Sequence, residues 1–574
     1  MKSNKINSWL KCFSFIIAML SILSVNAQTA KTAKITTQTK PNIIYILLDD
    51  VGFSDLAPYG SEINTPNISQ LAKEGIKYNH FETRAICSPT RAALLTGRNN
   101  QSVGMIDLPP AVTNPNGNPN TRGYIPAEAG TIAQILKLNG YRTTAMGKWH
   151  LLPGDQQSDT VKNKSNWPTG KGFQNFYGWL SGWTDQYNPA GLGREIMEND
   201  HRAIESNPGG NHVSEEIVDR AIKSLKDGFA SSPHQPQFLY LAFGAGHSPI
   251  QVAKKYIDRY AGVYEKGWDQ LRVERFERQK ELGIIPANAV LTERNPDDRA
   301  WESLSKDEKT VYARFMATYA GFLEHTDEQI GKLISYLKQT GQYDNTLIFF
   351  MSDNGAAPEA GHNGGFARPY GDNMTVAQML ARLDDLGTEK SSALYQREWA
   401  MLGGTPFKRY KLWPYAGGMR DPLIVTWPKM IKDKGTIRTQ YVELIDITPT
   451  VLDVLNIKNP EVIDDVKQVD LHGASIAGTF SDAQAPSPRN TQFYSMRGNR
   501  AIYNDGWKAI AIHKNGTDFE SDEWELYNVN KDFSEQVNVA KEYPEKLQQL
   551  KELWTSEAKK YGAFPIEERR VGRN

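Results

Sequence analysis

Ile43-Ile44-Tyr45-Ile46-Leu47-Leu48-Asp49-Asp50 is an unbroken run of apolar and aromatic residues closed by two adjacent acids. Continuous rather than alternating hydrophobicity is what a strand buried on both faces requires, as in a sheet covered by helices. Phe238 to Phe243, Leu347 to Met351 and, more briefly, Leu423 to Val425 repeat the pattern. Helical periodicities lie between them. Thr131 to Asn139 sets Ile132, Ile135 and Leu136 on one face with Gly140 just beyond. A second runs from Ser214 as N-cap through Ile217, Val218, Ala221, Ile222 and Leu225 to Gly228. A third opens at Ser305 with Glu308 three residues on, a capping-box pattern. Strands alternating with helices predict an α/β domain.

Beyond Thr448-Pro449-Thr450 and the helix-like Val451 to Leu455 the character changes. Phe493-Tyr494-Ser495, Ala501-Ile502-Tyr503 and Lys508-Ala509-Ile510 are short β-type runs punctuated by Gly498, Asn504-Asp505-Gly506 and Gly516. They predict a small antiparallel sheet, followed by a charged helix over Tyr543 to Tyr561. A boundary near Asn456 divides a larger domain, 41–455, from a C-terminal subdomain, 456–574. The 574 residues suffice for one large core and a smaller one.

At the N-terminus Lys2, Lys5 and Lys11 precede an apolar run from Phe13 to Val25, and Val25-Asn26-Ala27 stands before Gln28. This is the tripartite form of a cleavable export signal, 1–27, with an apolar run too short to span a bilayer comfortably. Gln28 to Lys40, rich in Thr, Lys and Ala, predicts a mobile leader. The expected location is therefore periplasmic or secreted, with no stable membrane insertion once the signal is cut. Cleavage removes three Lys and no acid, so a chain of 66 basic and 66 acidic side chains ends near a formal charge of about −3. No globally basic surface remains, which argues against nucleic acid and anionic membranes as partners. Cleavage also removes Cys12 and leaves Cys87 alone, so no internal disulfide can form. A lone cysteine is most often a small buried hydrophobe.

The polar clusters fall in telling places. Asp49-Asp50 directly follows the first apolar run, Lys148-Trp149-His150 follows Tyr141 to Gly147, His247 follows the second run, and Asp353-Asn354 follows the third. In open α/β sheets ligand sites form outside the carboxyl ends of the strands, so groups hundreds of residues apart can converge. Asp49, Asp50 and Asp353 with the amide oxygen of Asn354 make an all-oxygen set suited to Ca²⁺ or Mg²⁺ rather than zinc. Taken singly, Asp-Asp and Asp-Asn-Gly are also ordinary caps and turns.

Cys87-Ser88-Pro89-Thr90-Arg91-Ala92-Ala93-Leu94-Leu95-Thr96-Gly97-Arg98 closely resembles the signature of the type I sulfatases, within the alkaline phosphatase-like superfamily. In that family the Cys-x-Pro-x-Arg core directs oxidation of the cysteine to formylglycine (3-oxoalanine). The resemblance extends through Asp49-Asp50-Val51-Gly52, Thr65-Pro66-Asn67, Gly147-Lys148-Trp149-His150, Ser352-Asp353-Asn354-Gly355-Ala356 and Gly417-Gly418-Met419-Arg420-Asp421-Pro422. The stretch from Gly267-Trp268-Asp269 through Leu282-Gly283 looks most like secreted bacterial arylsulfatases.

The resemblance implies a large mixed, mostly parallel sheet flanked by helices, and a smaller C-terminal domain with an antiparallel sheet and a helix. It implies hydrolysis of aryl or carbohydrate sulfate esters, one Ca²⁺ per chain, and a formylglycine-generating enzyme as obligate partner. Asp49, Asp50, Asp353 and Asn354 match the family's calcium ligands, with modified Cys87 adding an oxygen. Arg91 resembles the residue that steadies the formylglycine hydroxyls, and Lys148 and His150 match the pair beside it. His247 and Lys411 look like the groups that hold the sulfate and assist departure of the alcohol. Two positions depart from the pattern. Gly246 stands where many members have Pro, which would loosen the loop carrying His247, and His472 stands where Asp is usual, away from the chemistry.

The chemistry implied is coherent. A sulfated thiolate has no easy internal route to release, whereas a hydrated aldehyde carries one hydroxyl to attack sulfur and a second whose deprotonation re-forms the carbonyl. Two other readings stand beside this one: a phosphonate monoester or phosphodiester hydrolase of the same superfamily, and a non-catalytic binder of sulfated glycans with Cys87 unmodified. Relatives of the first kind tend to carry Asp-His where this chain has Asp353-Asn354. Pocket specificity is expected from the loops Asp107 to Gly123, Leu151 to Tyr187 and Ala357 to Pro406. Trp179, Trp183 and Trp413 line a cleft or fill a core, with core favoured, and His325 and His362 are read as ordinary loop or helix residues.

Overall fold

A computed structural model describes residues 40–113, 119–192, 195–203, 210–367, 374–566 and 568. The export signal and nearly all of the leader lie outside these residues. Ten strands form one sheet, in the order Ile437–Arg438, Ile76–Tyr78, Leu423–Thr426, Thr346–Ser352, Asn42–Leu48, Gln237–Ala242, Arg142–Lys148, Asn175–Trp179, Met197–Glu198, His201–Arg202. The five strands from Thr346–Ser352 to Asn175–Trp179 are mutually parallel, and antiparallel pairings flank them. All four unbroken apolar runs are strands of this sheet.

Why those runs are unbroken is visible in the packing. Ile44, Ile46 and Leu48 enter one core and Ile43, Tyr45 and Leu47 the other, one on each face of the sheet. The first face is covered by the helices Val213–Ser231 and Lys306–Gln339, the second by Cys87–Thr96 and Ile132–Leu138. Each large apolar side chain so buried contributes about 1.5–3 kcal/mol against exposure.

The helix starts follow local chemistry. Thr131 with Gln134, and Ser305 with Glu308, form complete capping boxes. The second helix differs from expectation at both ends. Its N-cap is His212, whose ring accepts from the Ser214 N–H, so Ser214 already lies inside. Gly228 does not stop it, and the helix continues to Ser231. A Cβ at Gly228 would stand 2.7 Å from Gln237 Oε1, so the glycine allows close approach of helix to strand.

The C-terminal sheet is four-stranded and antiparallel: Thr491–Met496, Asn499–Asn504, Trp507–Ala511 and Trp524–Asn528. The last strand, mixed in polarity, was not visible as a period-2 run. Helix Pro544–Lys560 packs on one face through Leu550, Trp554 and Ala558. Ile463, Ile476 and Phe480 still belong to the core of the large sheet, so the change of packing partner comes after Phe480, later than the composition near Asn456 suggests.

A buried ionic cluster ties the two sheets together. Lys508 Nζ lies 3.3 Å from Glu82 and 2.8 Å from Glu535, Arg420 lies 3.5 Å from Glu82, and the Tyr494 hydroxyl donates to Glu82 at 2.8 Å. Burial would raise the Glu82 carboxyl, but Lys508 and Arg420 outweigh it and hold it down to about 2. A carboxylate depressed in the folded state stabilises above its unfolded pKa, near the ordinary glutamate value of 4.5, and loses that contribution as pH falls toward 2. Glu82→Gln is therefore expected to cost about 3–5 kcal/mol at neutral pH, because it strands buried cations. Denaturant titrations across pH check this: the wild type should lose stability between those limits with an extra slope that the variant lacks.

Candidate active site

The parallel strands bring their carboxyl ends to one edge, and the predicted residues meet there. Asp49 follows Asn42–Leu48, Asp353 follows Thr346–Ser352, Lys148 ends Arg142–Lys148, and His247 sits on the loop after Gln237–Ala242. Because Asn42–Leu48 lies between Thr346–Ser352 and Gln237–Ala242, the loops after these three strands gather at the edge where ligand sites form in open α/β sheets. Cys87 joins them as the first residue of helix Cys87–Thr96. Pro89 is tolerated in this first turn, whose N–H groups have no intrahelical partner, and Gly97, at φ 64, closes the helix with its N–H on Ala93 O. The helix N-terminus adds partial positive charge where an anion would sit.

Arg91 is one turn after Cys87 and shares its face of the helix. Its guanidinium donates to Asp353 Oδ2 through Nε at 2.9 Å, with Nη2 at 2.7 Å, and reaches Lys148 O at 3.2 Å and the Tyr240 hydroxyl at 3.3 Å. Lys148 Nζ donates to Asp49 Oδ2 at 2.7 Å. Asp50 accepts from Asn354 Nδ2 at 2.7 Å and from Lys411 Nζ at 2.9 Å, and His247 Nε2 lies 3.7 Å from it. His150 Nδ1 is 3.4 Å from Cys87 Sγ. The His247 Nδ1 sits 2.6 Å from Ser248 O and so carries a proton, which leaves Nε2 facing the site.

One donor atom each from Asp49, Cys87 and Asp353 lie within 4.8 Å of one another, and all three residues are buried. Asp49 Oδ1 and Asn354 Oδ1 are buried oxygens without a hydrogen-bond partner. Orphaned buried acceptors are costly unless something positive meets them. Together these oxygens are a donor set a hard divalent cation fits. Sγ marks where oxygens of an oxidised side chain at 87 would stand.

Electrostatics follow from burial and neighbours. Burial pushes the Asp49 carboxyl up to about 8, against Lys148 and with the nearby Asp353 and Asp50. Burial would raise the Asp50 carboxyl, but Lys411, His247 and Lys148 together outweigh it and draw it well down. Burial, then Lys148 and Arg91, hold the His150 ring well below the usual histidine range, so it is neutral at physiological pH. Burial also raises the Cys87 thiol, so an unmodified cysteine here is protonated rather than a thiolate nucleophile.

The backbone is unusual around Cys87. Asp50, Ala85, His150 and Leu412 all have positive φ, between 56° and 76°. Such clustering in the left-handed region is a mark of functional sites, where surrounding contacts over-determine the chain. The Leu412 N–H, donating to Ala85 O at 2.9 Å, holds the loop carrying Lys411 against the start of the Cys87 helix.

Three partners escaped sequence reading. Glu359 lies 2.7 Å from Lys411 Nζ, Tyr240 meets Arg91, and Ala245 O accepts the Asp49 N–H at 2.7 Å. Only Tyr240 left a signal, as a hydroxyl in a fully buried strand that must find a partner. Gly246 does not loosen its loop: a Cβ there would stand 2.3 Å from the Tyr319 ring, so the position is tightly packed. His472 is remote, at the far end of the Cys87 helix, where its Nδ1 accepts from the Asn99 N–H at 3.0 Å. Trp179 is core, whereas Trp183 and Trp413 are half-buried. His325 pairs with Glu215 and His362 with Glu398, neither among the residues around Cys87.

The family model described as Sulfatase matches residues 41–457, and one described as N-sulphoglucosamine sulphohydrolase, C-terminal, matches residues 408–560. The chain is 34% identical over 542 residues to an uncharacterized sulfatase of Schizosaccharomyces pombe, covering 90% of this chain and 93% of that one. It is 30% identical over 448 residues to an arylsulfatase of Klebsiella aerogenes, covering 76% and 90%. Among solved structures, Ps i-CgsB in complex with k-i-k-neocarrahexaose superposes with a TM-score of 0.62 at 25% identity, covering 93% of this chain and 95% of that one.

Proposed function

From the premise that this chain belongs to the sulfatase family and is a sulfuric ester hydrolase, we propose that it cleaves sulfate esters of aryl or carbohydrate alcohols with Cys87 oxidised to formylglycine beside one calcium ion. The observation that carries this reading is the convergence of Asp49, Cys87 and Asp353 within 4.8 Å in a buried site. Asp49, Asp50, Asp353, Asn354 and an oxygen at 87 would hold the cation. A calcium ion, when bound, supplies fixed positive charge that acidifies a neighbouring hydroxyl and offsets charge on a sulfuryl oxygen. A hydrated formylglycine supplies two hydroxyls on one carbon, one to attack sulfur and one whose deprotonation re-forms the carbonyl and releases sulfate.

The chain's own residues do the rest. His150, neutral and 3.4 Å from the position-87 side chain, accepts a proton there. Arg91, Lys148 and Lys411 orient the sulfuryl oxygens by charge-assisted hydrogen bonds. His247, when protonated on Nε2 as well as on Nδ1, or Lys411, delivers a proton to the departing alcohol oxygen. Burial of these groups keeps bulk water from screening them.

The same reading places the enzyme outside the cytoplasm after export, with a formylglycine-generating enzyme as helper. No helix among the described residues is long and apolar enough to cross a membrane. Two measurements test the proposal on the exported protein. The peptide bearing residue 87 should weigh about 18 Da less than its cysteine form, and an unmodified thiol in all of the protein would sink the formylglycine reading. A nitrophenyl sulfate should turn over faster than a phosphate diester, and the reverse order would favour the phosphodiesterase alternative.

A further inference from the structure

The C-terminal sheet holds two hairpins that turn in the same way with different chemistry. Asn504 and Trp507 are joined by Asp505-Gly506, with φ 46° and 81°, and Met496 and Asn499 by Arg497-Gly498, with φ 51° and 85°. Both are two-residue turns with positive φ at each position, the type that favours Asn-Gly or Asp-Gly. Asp505 obeys that preference. Arg497 does not, and a long side chain in the left-handed region is a cost the turn itself does not require.

The position of this turn gives the reason. Met496 belongs to the same hydrophobic cluster as Ala85 and Ile86, the residues immediately before Cys87, and Gln101 Nε2 donates to Ser495 O at 3.0 Å. The hairpin tip therefore rests on the start of the Cys87 helix. Arg497 reaches from it to Asp107, in a loop expected to shape the pocket, donating through Nε at 2.8 Å and Nη2 at 2.9 Å. Burial works against the Arg497 charge, Asp107 outweighs it, and Glu359 and Cys87 add smaller pulls of the same sign, so its pKa goes up. The turn carrying Arg497 thus stands beside the residues that lead into Cys87, with its guanidinium held on the Asp107 loop.

We propose that the Arg497–Asp107 pair is a specificity determinant that contacts the alcohol half of the substrate and selects a hydroxyl-bearing sugar over an aryl group. The inference rests on the sulfatase reading and deepens it. A guanidinium clamped side-on by a carboxylate presents its remaining N–H groups beside a carboxylate oxygen, a donor and an acceptor in one plane. Neighbouring hydroxyls of a saccharide satisfy both, whereas an aryl ring leaves them unpaired, which is how polar pockets reject the wrong substrate. Because Asp107 offsets the Arg497 charge, the pair reads hydroxyls rather than a second anion. The sulfate stays with Arg91, Lys148 and Lys411.

The test is Arg497→Asn, chosen because asparagine suits the turn and keeps the hairpin folded. Kinetics would be measured on 4-nitrophenyl sulfate and on a panel of monosulfated hexoses and hexosamines, with thermal unfolding of both proteins. The expected result is a KM for sugar sulfates raised about 10- to 100-fold, kcat/KM for the aryl sulfate within about threefold, and an unchanged or higher Tm. Asp107→Asn should shift the sugar KM in the same direction. Equal losses on both substrates, a fall in Tm that tracks the loss of activity, or a wild type that hydrolyses the aryl ester and none of the sugars would each overturn the proposal. A wild type inactive on every sulfate ester would instead overturn the sulfatase reading beneath it.

Discussion

Cys87→Ala is expected to abolish turnover, with kcat falling by about 10⁶ as when a nucleophile is removed outright, while the protein stays folded. The two halves of that result have separate physical origins. Cys87 is buried, and its sulfur makes one side-chain contact of note, with His150, so trimming it to alanine opens a void of one atom. A change of that size costs on the order of 1 kcal/mol, and alanine is at least as good a helix former as cysteine. Circular dichroism and Tm should move little. The activity loss is total because the neighbouring hydroxyls are committed elsewhere: Ser88 donates to His150 O at 2.8 Å, and Thr90 accepts from the Arg84 N–H at 3.1 Å. Residual activity above about 1% of wild type would remove position 87 from the chemistry.

The second large effect is expected on removing divalent cations. Chelation should lower activity at least about 100-fold and lower Tm, with both restored by calcium at one ion per chain. The stability readout follows from linkage: an ion that binds only the folded state contributes about 2.7 kcal/mol at a hundred times its Kd. The orphaned oxygens of Asp49 and Asn354 would gain a partner in that step. Asn354→Ala removes one of them, and calorimetric titration should show calcium binding about 10- to 100-fold weaker. A chelated enzyme keeping both its Tm and its activity would argue that Arg91, Lys148 and Lys411 suffice to balance the three aspartates.

Much of the site was legible because its residues sit at the ends of recognisable strands. Asp49-Asp50 after one apolar run and Asp353-Asn354 after another are local signals, and the rule that ligands gather at strand carboxyl ends supplies the convergence. Arg91 was reached only through the resemblance of Cys87-Ser88-Pro89-Thr90-Arg91 to the family signature, and its place one helical turn after Cys87 came from the structure. Glu359 was not, because a glutamate on an irregular loop resembles any solvated acid until Lys411 is found 2.7 Å away. Arg497 was hidden for a similar reason, since its partner Asp107 lies 390 residues away in sequence. Gly246 and Gly228 were misread as loosening and stopping residues. What decides a glycine's role is the atom its absent Cβ would strike, and no sequence window contains it.

By itself the sequence determined three strands of the parallel core, the capped helices, the signature around Cys87 and the acids that follow two of those strands. Those depend on periodicity, capping and chemical type, which act within a few residues of one another. The tertiary structure alone decided which charges pair, that Glu82 and Lys508 lock the second sheet to the first, and that a hairpin from the C-terminal sheet packs with the residues just before Cys87. Such pairings are set by where distant segments pack, and a buried charge takes the partner that the fold brings within reach.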